Sequence, residues 1–411
     1  MRSEALRILF LTTIYPAPGD SYMIGDLAQD LADSGHHVDV LHIVWKDDSE
    51  KPSALRYDGR VCVLDVYPRG LAHLGRLVYR MSKFLITSRQ AAKVLTEQLD
   101  LSVYDAVVAW TPALTVASPF RLARRAKIPA RLLFIFDFFP IHHREIGMIP
   151  RGPVYALAKR MEESLMRNCT TLICNLPSNI DYLRSRYRLQ IDQDIVSTPL
   201  WSAMDTPPSS SPNALRERLG LPNEAPLALF GGQLVEGRGI EQMLEAASCA
   251  ETAGSPLSFV FMGGGRLAAE VAREASQRSN VFYVPPASRD EYLDVIGSCD
   301  VGLVATVPGV SSYSFPTKTI DYLRVNLPVV AAVEEGSDYL EILYKYRLGV
   351  GVKFGDSESF FRAAERLATA KDDTLPLRAR QCLDEVFHVR HASKTVIDAI
   401  ERAKYAKGTD Q

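Results

Sequence analysis

Arg7 to Thr13 (RILFLTT) is a short continuous apolar run. It is followed by a loop, Ile14 to Ile24, then an amphipathic stretch, Asp26 to Ser34, and a second apolar run, Val38 to Val44. Apolar runs this short, bounded by turn residues, read as strands buried on both faces. Two such strands joined through a helix must lie parallel, because a parallel pair needs a long crossover and that crossover is right-handed. Leu27 and Leu31 share one face of the intervening helix, and Gly35 stands where a helix C-cap requires a left-handed residue. The opening of the chain is therefore a βαβ unit, and the fold class is α/β with parallel sheets.

The alternation continues. Residues 61–66, 104–110, Ala130–Phe136 and Thr171–Asn175 read as strands, with helices over Pro153–Asn168 and Ile180–Tyr187. After Pro199 the periodicity lapses, and Thr206 to Pro212 (TPPSSSP) has linker composition. Strands resume at Pro226–Phe230, Leu257–Met262, Val281–Pro286, Val301–Ala305 and Leu327–Val333, and helices over Phe360–Ala370 and Ala392–Lys407 close the chain. A chain of 411 residues exceeds one hydrophobic core. Two doubly wound domains are expected, at 1–200 and 213–387, followed by a last helix over 388–411.

Composition narrows the function class. The chain is 47% hydrophobic and 23% charged, an ordinary globular balance. Six cysteines show no Cys-x-x-Cys spacing, which points to reduced thiols and not to a disulfide framework or a zinc site. No apolar run reaches the roughly 18 residues needed to span a bilayer, and no signal peptide is evident, so a cytoplasmic protein is expected. Residues 1–200 carry 25 Lys+Arg against 21 Asp+Glu, and the remainder 22 against 28. Arg69 to Lys93 holds six basic residues, no acidic one, and apolar residues at helical spacing. That helix either packs inward with a solvated basic face or lies on anionic lipid.

Three places carry chemistry. In the second half, Gly231-Gly-Gln-Leu-Val-Glu-Gly-Arg-Gly239 leads from a strand into a helix beginning at Ile240. Its glycines allow close backbone approach, the helix start favours negative charge, and Arg238 can pair bidentately with a diphosphate. Gly309 to Glu335 is a polar loop entering a helix at Pro316, with Lys318 and Asp321 in the first turns, a terminating Asn326 and a short strand. In the first half, the strand ending at Phe136 delivers Asp137, His142, His143 and Arg144 to its carboxyl end, where ligands bind in open α/β sheets. The one Asp-x-Asp, Asp192 to Asp194, lies in a polar connection and reads as solvated surface.

The run FPTKTIDYLRVNLPVVAA resembles the signature helix of the retaining GT-B glycosyltransferases of family 4, nearest the subgroup that builds bacterial surface polysaccharides. LADSGHHVDVLHI resembles that family's opening, DFFP with Gly147 resembles its Asp-Leu-Trp-Pro motif, and Gly231–Gly239 resembles its phosphate loop. The resemblance implies a GT-B fold, two Rossmann-like domains facing a cleft, with acceptor on the first and nucleotide sugar on the second. It implies donor contacts at Gly231, Gly232, Gln233, Arg238, Gly264, Val284, Ser312, Ser314 and Lys318, with Asp321 on the ribose hydroxyls. The catalytic set it implies is Asp137, His142, His143 and Arg238. Tyr313, Phe136, Ile141 and Gln233 depart from the family pattern.

The expected reaction is retaining transfer from a UDP- or GDP-sugar to a glycan or polyprenyl-diphosphate-linked sugar, in exopolysaccharide or O-antigen synthesis. No metal, tightly bound cofactor or nucleic-acid partner is expected, and an anionic membrane surface on the inner face of the plasma membrane is the expected partner surface. Two alternatives stay open at this level: a sugar-nucleotide epimerase on the same fold, and a non-catalytic nucleotide-sugar-binding partner.

Overall fold

The computed structural model describes residues 4–17, 22–45, 51–68, 76–203, 213–306, 315–334 and 337–408, leaving aside the side chains of 76–83, 85, 407 and 408. The chain divides into two compact units, Met1–Ala203 with His388–Gln411, and Met204–Phe387.

The first unit is built on strands β1 (Arg7–Thr12), β2 (His37–Ile43), β3 (Ala54–Asp58), β4 (Val61–Val66), β5 (Ala106–Trp110), β6 (Ala130–Ile135), β7 (Thr171–Cys174) and β8 (Asp194–Ser197). Their order in the sheet is β3-β4-β2-β1-β5-β6-β7-β8. All neighbours run parallel except the β3–β4 pair. Alternate residues of β1 explain the continuous apolar runs: Leu9 and Leu11 feed one core, Ile8 and Phe10 the other. Both faces are covered, so polar alternation has no place. The final helix, Val389–Gly408, lays Val396, Ala399 and Ile400 into the second of these cores. Its polar side chains reach the same unit, Lys404 to Asp105 at 2.8 Å and Arg402 to Asp194 at 3.2 Å.

Asp194 opens the edge strand β8 and accepts from Thr171 Oγ1 at 2.9 Å, while Asp192 is exposed in the turn before it, as a solvated surface requires. The helix within the basic stretch spans Arg76–Gln98. Its later turns pack inward through Phe84, Ala91 and Leu95. Residues 69–75 and the side chains of Arg76, Arg80 and Lys83 lie outside the described part.

The second unit has strands β9 (Leu227–Gly231), β10 (Ser258–Met262), β11 (Val281–Val284), β12 (Val301–Ala305), β13 (Val329–Ala332) and β14 (Gly349–Gly351), all parallel in the order β11-β10-β9-β12-β13-β14. The order reverses between β9 and β12, the position at which an open α/β sheet opens a crevice beyond its strand ends. The helix expected from Pro316 spans Lys318–Arg324, and Asn326 ends the turn in the left-handed region at φ 61°.

Candidate functional site

The loop after β9 meets the loop after β10 through backbone alone. Gly232 N donates to Met262 O at 2.9 Å, Leu234 N to Gly264 O at 2.9 Å, and Leu267 N to Leu234 O at 2.9 Å. Gly263 sits at φ 143°, and a Cβ there would lie 1.8 Å from the Gly232 carbonyl oxygen. Only glycine permits this crossing. Gly239, at φ 63°, closes the loop against β12, where a Cβ would stand 2.4 Å from that of Ala305. The helix Ile240–Thr252 starts immediately after it, so the glycine loop and a helix N-terminus converge at the strand-order reversal.

Two cations stand at this point. Arg238 is exposed, and Lys318 places its ammonium 3.2 Å from the centroid of the Phe230 ring, over the end of β9. Among the described residues neither has a carboxylate partner. Burial, then the nearby Arg238 charge, hold the Lys318 pKa well below the usual lysine value. Like charges held together without a counter-ion are stabilised by a polyanion and by little else.

Asp321, one turn along the Lys318–Arg324 helix, is engaged by Arg289 across 32 residues of sequence. Arg289 Nη1 donates to Oδ2 at 2.8 Å and Nη2 donates to Oδ1, a two-pronged pair. Arg289 opens the helix Arg289–Gly297 and its guanidinium lies 5.5 Å from the Tyr292 ring centroid. Tyr292 in turn packs on Gly231 so closely that a Cβ there would meet its ring at 2.7 Å. Tyr322 hydroxyl accepts from Gly231 N at 3.0 Å, fixing the Lys318–Arg324 helix to the end of β9.

Of the other residues read from the sequence, Gln233 is exposed, Gly264 offers its carbonyl to Leu234, and the Val284 carbonyl accepts from Gly263 N at 3.0 Å. Tyr313, Ser312 and Ser314 lie outside the described residues. Arg289 was not legible in the sequence, because nothing local to residue 289 says which carboxylate it meets.

The first unit gathers a second group. Thr111 Oγ1 accepts from Phe136 N at 3.0 Å and Asp137 N at 3.1 Å, which fixes the backbone leaving β6. Asp137 Oδ1 and His143 Nδ1 are both buried without a hydrogen-bond partner among the described residues. Burial raises the Asp137 pKa, and His143 and His142 pull it back. Glu162 is fully buried, its two oxygens accepting from Ala113 N at 2.7 Å and Leu114 N at 3.1 Å. The segment 111–114 is thus tied to Asp137 on one side and to Glu162 on the other. A readable signal existed for Glu162: it shares a helix face with Ala158, Leu165 and Met166.

Burial pushes the Glu162 carboxyl up to about 8, with the Asp137 charge acting in the same direction against the two amide bonds. A carboxyl whose folded pKa is raised binds more protons folded than unfolded. Its contribution is complete below about pH 4.5 and is lost as pH rises towards 8. At about 1.4 kcal/mol per pH unit, the loss amounts to about 5 kcal/mol. Thermal midpoints should fall across that window, and the fall should be smaller in Glu162→Gln. Equal slopes in both proteins would remove Glu162 as the cause.

No protein-family profile matches the chain. One curated relative, the putative colanic acid biosynthesis glycosyl transferase WcaI of Escherichia coli K12, is 25% identical over 334 residues, covering 75% of this chain and 78% of its own. Among solved structures, the α,α-trehalose 6-phosphate synthase of Burkholderia multivorans superposes with a TM-score of 0.72 at 14% identity, over 99% of each chain. Sucrose-phosphate synthase of Thermosynechococcus elongatus gives 0.70 at 18% identity, over 98% of this chain and 100% of its own. WaaG, a glycosyltransferase of lipopolysaccharide biosynthesis, gives 0.63 at 15%, over 96% and 99%. The chain has the GT-B glycosyltransferase fold.

Proposed function

We propose that the chain is a retaining glycosyltransferase of family 4 that moves a sugar from a nucleoside-diphosphate sugar, UDP- or GDP-linked, to an acceptor hydroxyl in bacterial surface-polysaccharide synthesis. The observation that carries this reading is the pair Arg238 and Lys318, two cations without carboxylate partners among the described residues, at a glycine loop and a helix start. In this reading they stabilise the departing diphosphate, an electrostatic contribution that commonly dominates catalysis. Asp321 holds the ribose hydroxyls. The acceptor oxygen bonds to the anomeric carbon on the face from which the diphosphate oxygen departs, and the leaving phosphate takes the acceptor's proton, so configuration is retained. Asp137 orients the acceptor, with His142 and His143 beside it. The relatives named for colanic acid and lipopolysaccharide biosynthesis support the acceptor class. A thermal-shift panel of nucleoside diphosphates and their sugars tests the donor, since a ligand of the native state raises its stability. Transfer of labelled sugar to a lipid-linked acceptor tests the reaction. Isomerised free nucleotide sugar, or binding without turnover across a broad acceptor panel, would replace it.

A polyprenyl-linked acceptor requires the first unit to meet a membrane, and no helix among the described residues is long and apolar enough to cross one. Met148, Val154 and Leu157 are 43%, 64% and 60% exposed, with Arg151 and Arg160 also exposed. No acidic residue interrupts 146–161. Exposed apolar side chains among cations match an anionic bilayer. Sedimentation with anionic but not neutral vesicles, reversed by salt, is expected. Replacement of Arg76, Arg80 and Lys83 by Ser should weaken it without altering nucleotide affinity. Wild-type protein that ignores anionic vesicles at low salt would point to a soluble acceptor.

A further inference from the structure

Asp321 brings its own cation, and the geometry of that pair has a consequence for nucleotide recognition. We propose that Arg289 is a positioning residue: by gripping both oxygens of Asp321 it orients that carboxylate towards the ribose of the donor and cancels its charge beside the diphosphate. The proposal rests on the reading of Asp321 as the ribose acceptor.

The chemistry follows from counting acceptor sites. An ionised carboxylate offers about four lone-pair directions over two oxygens. The fork from Arg289 uses one on each oxygen. One further direction on each oxygen is left, a pair spaced to receive two vicinal hydroxyls. The Asp321 side chain keeps 16% of its surface exposed and Arg289 34%, so both remain partly accessible to a ligand. A guanidinium is planar and always charged, so the grip sets the plane of the carboxylate.

Arg289 is itself fixed. It sits at the start of a helix whose cap, Ser288, accepts from Glu291 N at 3.3 Å, and it lies over Tyr292, which is wedged against Gly231 at the phosphate loop. The phosphate loop, Tyr292, Arg289 and Asp321 therefore form one connected frame at the carboxyl end of the sheet. A lone carboxylate beside a bound diphosphate would repel it. Paired with Arg289, the couple is neutral and the repulsion is removed.

The test is a double-mutant cycle read by calorimetry, using UDP or GDP, whichever stabilises the wild-type protein, its 2′-deoxy counterpart and pyrophosphate. Arg289→Met should abolish the ribonucleotide's advantage over its deoxy form, weakening it about tenfold more than the loss that the unmasked Asp321 charge imposes on the deoxy form and on pyrophosphate alike. In an Asp321→Asn background the same change should add almost nothing. Arg289→Lys, which keeps the charge without the fork, should fail to restore the ribose preference. Should Arg289→Met still weaken binding in the Asp321→Asn background, Arg289 touches the nucleotide itself and the proposal fails. Equal weakening of all three ligands makes the pair a mere link between helices, and the proposal fails likewise. If Asp321→Asn leaves the ribose preference intact, the ribose reading of Asp321 falls. If Asp321→Asn abolishes the preference but Arg289→Met does not, that reading stands and Arg289 alone is dismissed.

Discussion

Asp137→Asn should lower turnover by about 10²- to 10⁴-fold, the span over which a positioned acid–base group contributes. The substitution keeps the side chain's shape and replaces one carboxylate oxygen with an amide donor. Asp137 leaves β6 on a backbone held by Thr111, and its Oδ1 is buried with no hydrogen-bond partner among the described residues. Burial raises its pKa, and His143, His142 and hydrogen bonds from Phe139 and Thr111 offset part of that. Removing a charge that burial already disfavours should leave the fold intact or stabilise it. Affinity for a nucleoside diphosphate, read on the second unit, should be unchanged. Full turnover in Asp137→Asn would end the assignment of an acceptor-orienting role.

Arg238→Ala is expected to weaken nucleoside-diphosphate binding by about 2–3 kcal/mol, the scale of a charge-assisted hydrogen bond. Lys318→Met should cost a comparable amount, while affinity for the nucleoside without phosphates should hold in both. The two are coupled. Arg238 depresses the Lys318 pKa, so its removal raises that pKa, and the pair should not be additive. The pH dependence has a definite sign: diphosphate affinity should fall as pH rises through the lowered Lys318 pKa, and this fall should shift upward in Arg238→Ala. Equal diphosphate affinity in wild type and Arg238→Ala would sink the assignment.

Much of the second unit is legible in its residues. The run Gly231–Gly239 announces a strand-to-helix turn with glycines where the chain must pass close to another backbone, and the structure shows that backbone to be Gly232 against Gly263. Pro316, Lys318 and Asn326 mark a helix by local rules, and the observed helix falls between them. The first unit is legible as a βαβ series for the same reason: a strand buried on both faces must be apolar throughout, and an amphipathic helix must show its stripe.

Partners are another matter. Asp137, His142 and His143 are close in sequence, yet the residue that fixes the Asp137 backbone is Thr111, and the carboxyl whose pKa burial and the Asp137 charge raise is Glu162, each on a different element. Asp321 could be read as an acidic residue in a helix's first turn, but not as one half of an ion pair with Arg289. By itself the sequence determined the α/β alternation, the glycine loop at a helix start and the cations beside it, because periodicity, turn chemistry and capping are properties of neighbouring residues. The tertiary structure alone decided that β9 lies between β10 and β12, that Lys318 stands over Phe230, and that Asp321 meets Arg289. A periodic pattern encodes which face of an element is buried, and leaves open which other element comes to cover it.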